Sequence, residues 1–126
     1  MTAKSVLAID DSRTIRQLVA QTLGEAGFTV TTAVDGEDGV GTFQGHRFDA
    51  VITDINMPRL DGFGVIAAIR SGGSNRKVPI LVLTTENSPE FKEKARNLGA
   101  TGWIVKPFED HQLVDILKLV TGADRT

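Results

Sequence analysis

The chain of 126 residues has no cysteine, a single tryptophan and no long apolar run. Without cysteine it can build no disulfide, thiolate metal site or cysteine nucleophile, an absence in keeping with a reducing cytosol. No run approaches the roughly 20 apolar residues of a membrane span. Met1-Thr2-Ala3-Lys4 leads into an apolar run too short for the core of a signal peptide. Positive charge is not in excess either. Fourteen basic against sixteen acidic residues leave −2, so no overall basic field draws nucleic acid. A soluble, cytoplasmic and monomeric protein is expected, with residues 1–126 forming one domain around one core. No repeat, low-complexity tract or linker interrupts it, and Thr121 to Thr126 are too few for an output domain.

Four short apolar runs are present: Val6-Leu7-Ala8-Ile9, Ala50-Val51-Ile52, Ile80-Leu81-Val82-Leu83 and Trp103-Ile104-Val105. None alternates with polar residues, so each is expected to be buried on both faces, as in a parallel sheet covered by helices. Phe28 to Ala33 does alternate and is rich in threonine and valine, which suits an edge strand with one wetter face. Between the runs, Ile15, Leu18, Val19, Leu23 and Ala26 make an apolar stripe ending at Gly27. Phe63, Ile66 and Ile69 mark a second helix after Asp61-Gly62. Ser88-Pro89 opens another that Gly99 closes. Leu113, Ile116, Leu117 and Val120 mark the last. The segment from Asp35 to Gln44 is helical by its place in the order, though Gly36, Gly39 and Gly41 each cost about 1 kcal/mol against alanine. Strand and helix thus alternate five times, which predicts a three-layer α/β/α sandwich with a five-stranded parallel sheet.

The polar residues of interest gather at one place. Asp10-Asp11, Asp54, Thr84 and Lys106 each follow or end a strand, and open α/β sheets bind ligands at the carboxyl ends of their strands. Three carboxylates brought together repel one another, and a hard divalent cation resolves this. Mg²⁺ takes oxygen ligands and commonly bridges one or two carboxylates to a phosphate. A carboxylate beside it can act as nucleophile and become an aspartyl phosphate. Lys106 and the Thr84 hydroxyl would then meet the added phosphoryl oxygens.

Asp10-Asp11, Asp54-Ile55-Asn56-Met57-Pro58, Thr84 and Lys106-Pro107-Phe108 together resemble the receiver domains of two-component response regulators, of the CheY-like single-domain type. The resemblance spans nearly the whole chain. It implies a flavodoxin-like sheet of order 2-1-3-4-5, Asp54 as phosphoacceptor, and Asp10, Asp11, Asp54 and the Asn56 carbonyl as Mg²⁺ ligands. It makes Thr84, Lys106 and Trp103 the switch and phosphate-contacting residues. Asn56 and Glu86 take the positions that tune dephosphorylation, and the Lys106–Pro107 bond is cis. Trp103 stands where the family usually has tyrosine or phenylalanine, and it reads equally as an ordinary strand aromatic. Glu86 reads equally as a solvated loop charge.

The resemblance implies a switch rather than an enzyme. A histidine kinase, CheA-like if the role is chemotaxis, phosphorylates Asp54. The face of the fourth helix, fifth strand and fifth helix then changes its affinity for a flagellar motor switch protein or another downstream protein. A phosphate sink and a phosphorelay intermediate are alternatives. A Mg²⁺-dependent aspartyl-phosphate phosphatase is the rival from another class, but its acceptor would end the first strand, whereas Asp54 comes two strands later.

Overall fold

Five strands alternate with five helices in the computed structural model, which describes residues 3–73 and 75–123. They are β1 (Ser5–Ile9), α1 (Arg13–Glu25), β2 (Thr29–Ala33), α2 (Gly36–Gly45), β3 (Ala50–Thr53), α3 (Gly62–Arg70), β4 (Ile80–Thr84), α4 (Pro89–Leu98), β5 (Gly102–Val105) and α5 (Asp110–Thr121). The sheet is wholly parallel in the order β2-β1-β3-β4-β5, as the resemblance implied. Met1-Thr2 and Asp124-Arg125-Thr126, on which the expectations about a leader and an output domain partly rest, lie outside the described residues. No helix among the described residues is long and apolar enough to cross a membrane.

Alternation along each central strand builds two cores. Leu7 and Ile9 of β1 point to one face, where Val51, Phe63, Ile66 and Val82 join them beneath α2, α3 and α4. Val6 and Ala8 point to the other, against Leu23, Leu81, Ile104, Leu113 and Leu117 under α1 and α5. Burying two faces explains why these strands read as unbroken apolar runs.

Two expectations need correction. Leu18 belongs to the periodic stripe of α1 but is 40% exposed; Val19, Thr22 and Leu23 are that helix's buried residues. The periodic stripe is wider than the arc that reaches the sheet. Likewise β5 is not buried on both faces, since only Ile104 among its four residues is. The sheet order leaves β5 at an edge, with no strand among the described residues on its outer side.

Local chemistry sets the helix ends. Ser12, Asp35, Asp61 and Ser88 each accept a backbone N–H at the N-cap, and Pro89 takes the first position of α4. Glu109 makes no such bond, so α5 starts uncapped. At the other end of α4, Gly99 adopts φ 111° and its carbonyl accepts two bonds from the Arg70 guanidinium, at 3.1 and 2.8 Å. In α2, a Cβ on Gly39 would lie 2.4 Å from Ile9 Cδ1, so the helix approaches β1 only without one.

Candidate functional site

Parallel strands deliver their carboxyl ends to one edge, and register fixes what meets there. Ile9 pairs with Thr53, and the Asp54 N–H donates to the Ile9 carbonyl at 3.1 Å, so Asp10 and Asp54 leave the sheet side by side. Thr84 pairs with Val105, and the Lys106 N–H donates to the Thr84 carbonyl, bringing Lys106 to the same edge from β5. The Lys106–Pro107 bond is cis.

The Lys106 ammonium lies between the two aspartates, donating to Asp10 Oδ2 at 2.8 Å and Asp54 Oδ2 at 3.1 Å. Each carboxylate's other oxygen accepts a backbone N–H, from Ser12 at 2.9 Å for Asp10 and from Ile55 at 2.6 Å for Asp54. Sequence reasoning missed the supports beneath them. Arg16 donates to the Asp10 carbonyl at 2.7 Å, and the buried Thr53 hydroxyl donates to the Asp54 carbonyl at 2.9 Å. Arg16 is four residues past an N-cap on an amphipathic helix, and nothing in its spacing signals that contact.

Burial pushes the Asp10 carboxyl above its ordinary value, more than the hydrogen bonds from Lys106 and Ser12 pull it down. Burial also works to lower Lys106, but its hydrogen bond to Asp10 and the charges of Asp10 and Asp54 win, and the ammonium is held above its usual range. Both members of the pair therefore shift upward. The lysine stays charged, while the carboxylate carries an uncompensated desolvation cost.

Asp11 completes a triad whose carboxylate oxygens lie within 4.8 Å of one another. One ammonium facing three carboxylates leaves two negative charges in a small volume, and every donor is a hard oxygen. That set fits Mg²⁺ and not a thiolate- or imidazole-preferring metal.

Glu86 joins the remaining expected residues. Its N–H donates to the Thr84 hydroxyl oxygen at 3.3 Å, its carbonyl accepts the Trp103 indole N–H at 3.0 Å, and its carboxylate accepts from the Asn56 amide at 3.4 Å. Thr84 is fully buried, and its hydroxyl oxygen accepts the Glu86 N–H while its own O–H remains available as a donor. Trp103 is half-buried and tied by its indole to the loop between β4 and α4.

Residues 6–118 match the model of the family described as response regulator receiver domain. Over 119 residues the chain is 34% identical to the probable chemotaxis protein CheY of Rhizobium etli, covering 94% of this chain and 92% of that one. It superposes on the chemotaxis protein CheY4 of Vibrio cholerae with a TM-score of 0.90 and 46% identity, over 94% of this chain and 99% of that one. A third relative is the receiver domain of a sensor histidine kinase from Pseudomonas aeruginosa PAO1. It is 28% identical with a TM-score of 0.88, over 96% of this chain and 99% of that one, and holds a magnesium ion in its active-site cleft.

Proposed function

The chain belongs to the response regulator receiver family, and from that premise we propose that it takes a phosphoryl group from a histidine kinase onto Asp54 in chemotaxis-type signalling. The observation that carries this reading is Lys106 bridging Asp10 and Asp54, with Asp11 beside them. An Asp54 carboxylate oxygen attacks phosphorus, the phosphorus–nitrogen bond of the phosphohistidine breaks, and its electron pair leaves on the imidazole. Lys106 then turns from two carboxylates toward the new phosphoryl oxygens, and the Thr84 hydroxyl swings to donate its O–H to them, drawing away from the Glu86 N–H that its oxygen accepts. Asp10, Asp11, Asp54 and the Asn56 carbonyl would hold Mg²⁺, which when bound would supply charge neutralisation for that transfer. Water attacking phosphorus breaks its bond to the Asp54 oxygen, releasing phosphate and restoring the carboxylate, and the paired Asn56 and Glu86 would tune the rate of that step.

Stoichiometry tests the reading. With Mg²⁺ and acetyl phosphate, mass spectrometry should find one added phosphate per chain. Many turnovers per minute without accumulated label would favour the phosphatase reading instead.

Mg²⁺ titration followed by the fluorescence of Trp103, the sole tryptophan, should show affinity that is level at neutral pH and falls in acid. Because the Asp10 pKa is raised, protonation removes this ligand at a higher pH than an ordinary aspartate would. Asp11→Ala should weaken binding at every pH; unchanged affinity would count against the triad as the metal site.

The output face of α4, β5 and α5 includes a groove of about 480 Å³ between α4 and β5, which Lys92, Arg96 and Trp103 help to line. Thr84 reaches it through Glu86 and the indole N–H, so a moved threonine releases a groove residue. Affinity for a downstream protein, with and without beryllofluoride, should fall in Lys92→Glu and lose its dependence on the mimic in Trp103→Ala. Parent-like behaviour of both variants would place the output elsewhere.

A further inference from the structure

The loop from β3 to α3 leaves the sheet at Asp54 and carries Asn56 two residues on, so its shape sets where Asn56 stands relative to the acceptor. Its turn is held in a conformation that side chains rarely adopt. Arg59 has φ 69°, and the Leu60 N–H donates back to the Pro58 carbonyl at 2.8 Å, closing a three-residue γ-turn of the left-handed kind. Such a conformation at a non-glycine residue persists only where its surroundings over-determine it.

Those surroundings are visible. The Arg59 guanidinium, itself 62% exposed, donates one hydrogen bond of 2.7 Å to Asp35 Oδ2, whose side chain is 6% exposed. The other Asp35 oxygen caps α2 through the Asp38 N–H at 2.8 Å. Beside this pair, the Leu60 carbonyl lies where a Cβ on Gly36 would be, so the loop backbone rests directly on the first turn of α2. Asp35 follows β2 closely, and the Ala33 carbonyl that ends β2 accepts the Asp10 N–H at 3.2 Å. The ion pair therefore links the loops after β2 and β3, the two strands flanking β1, whose own end carries Asp10 and Asp11.

We propose that Arg59 and Asp35 are positioning residues for phosphoryl uptake, their ion pair holding the strained turn so that Asn56 is kept in place relative to the acceptor. The proposal rests on the reading of Asp54 as phosphoacceptor. Breaking the pair lets the turn relax and carries Asn56 with it. Because the pair uses a single guanidinium nitrogen, an ammonium on a lysine at this position can replace it.

The test compares the parent with Arg59→Ala, Asp35→Asn, the double variant and Arg59→Lys. Three quantities are read: the rate of labelling by acetyl phosphate, Mg²⁺ affinity from Trp103 fluorescence, and Tm. Positioning predicts that both single variants label about tenfold more slowly, short of the roughly hundredfold cost of a full ångström's misplacement. Both also bind Mg²⁺ more weakly, the double variant is no worse than either single, and lysine restores most of the rate. A pure charge effect has a different signature: Arg59→Ala tightens Mg²⁺, Asp35→Asn loosens it, and the two cancel in the double. That result would overturn the proposal, as would parent rates in all variants with only Tm lowered. A parent that takes up no label would overturn the phosphoacceptor reading, and this proposal with it.

Discussion

Asp54→Asn should abolish phosphoryl uptake, a loss of about a thousandfold or more in rate, while leaving the fold intact. The amide keeps the shape of the carboxylate, and its oxygen can still accept the Ile55 N–H that now reaches Asp54 Oδ1. Its amino group then faces the Lys106 ammonium, where Asp54 Oδ2 stood at 3.1 Å, and offers no electron pair to phosphorus. Neither neighbour can substitute. Asp10 is engaged by Lys106 and Ser12, and Asp11 is exposed at the start of the next turn. Stability moves the other way, because the substitution removes one of two like charges held against a single ammonium. Tm should equal or exceed the parent's. Label that persists at the parent's rate would remove Asp54 from its role, and a large drop in Tm would contradict the charge argument.

Gly62→Ala should be among the most damaging single methyls outside the site. A Cβ there would stand 2.1 Å from the Asp54 carbonyl oxygen and 2.8 Å from the Ile55 Cα, both backbone atoms that cannot swing aside. Something must shift, at a cost of about 3 kcal/mol, which in a domain of this size lowers Tm by about 10 °C. The displaced carbonyl belongs to the acceptor itself, so labelling should slow as well. Gly41→Ala supplies the contrast. That glycine lies inside α2 with nothing within 4 Å of its added methyl. The same substitution there should therefore stabilise by about 0.5–1 kcal/mol. Urea denaturation of the two variants measures both, and equal destabilisation would mean that the close approach at Gly62 is not what matters.

The legible part of the site is the part that strand ends dictate. Asp10, Asp54, Thr84 and Lys106 each end or directly follow a strand, and parallel strands must bring their carboxyl ends together whatever the details of packing. The same logic fails for β5, since a run of apolar residues does not say whether a further strand will cover its outer side. It fails for Leu18, because helical periodicity gives a direction and not the width of the buried arc. Spacing marks Glu86 only as a position near the reaction, and its three hydrogen bonds depend on where two loops and an edge strand converge. The Arg59–Asp35 pair is not legible at all. Its members lie 24 residues apart, an arginine before a leucine in one loop and an aspartate capping a helix in another, with no spacing rule to join them.

The grip of Arg70 on Gly99 makes α4 a lever with one fixed end. The guanidinium reaches from the end of α3 to hold the carbonyl just past the last turn of α4, and it also bonds the Arg76 carbonyl at 2.6 Å. The opposite end of α4 follows the Glu86 loop, tied through Thr84, Trp103 and Asn56, with Phe91 packed edge-on against Phe63 behind it. A helix of ten residues spans about 15 Å. Motion of the loop should therefore be widest near Pro89 and smallest toward Leu98. A spin label on Lys92 should report that motion, and one on Asn97 should stay nearly still.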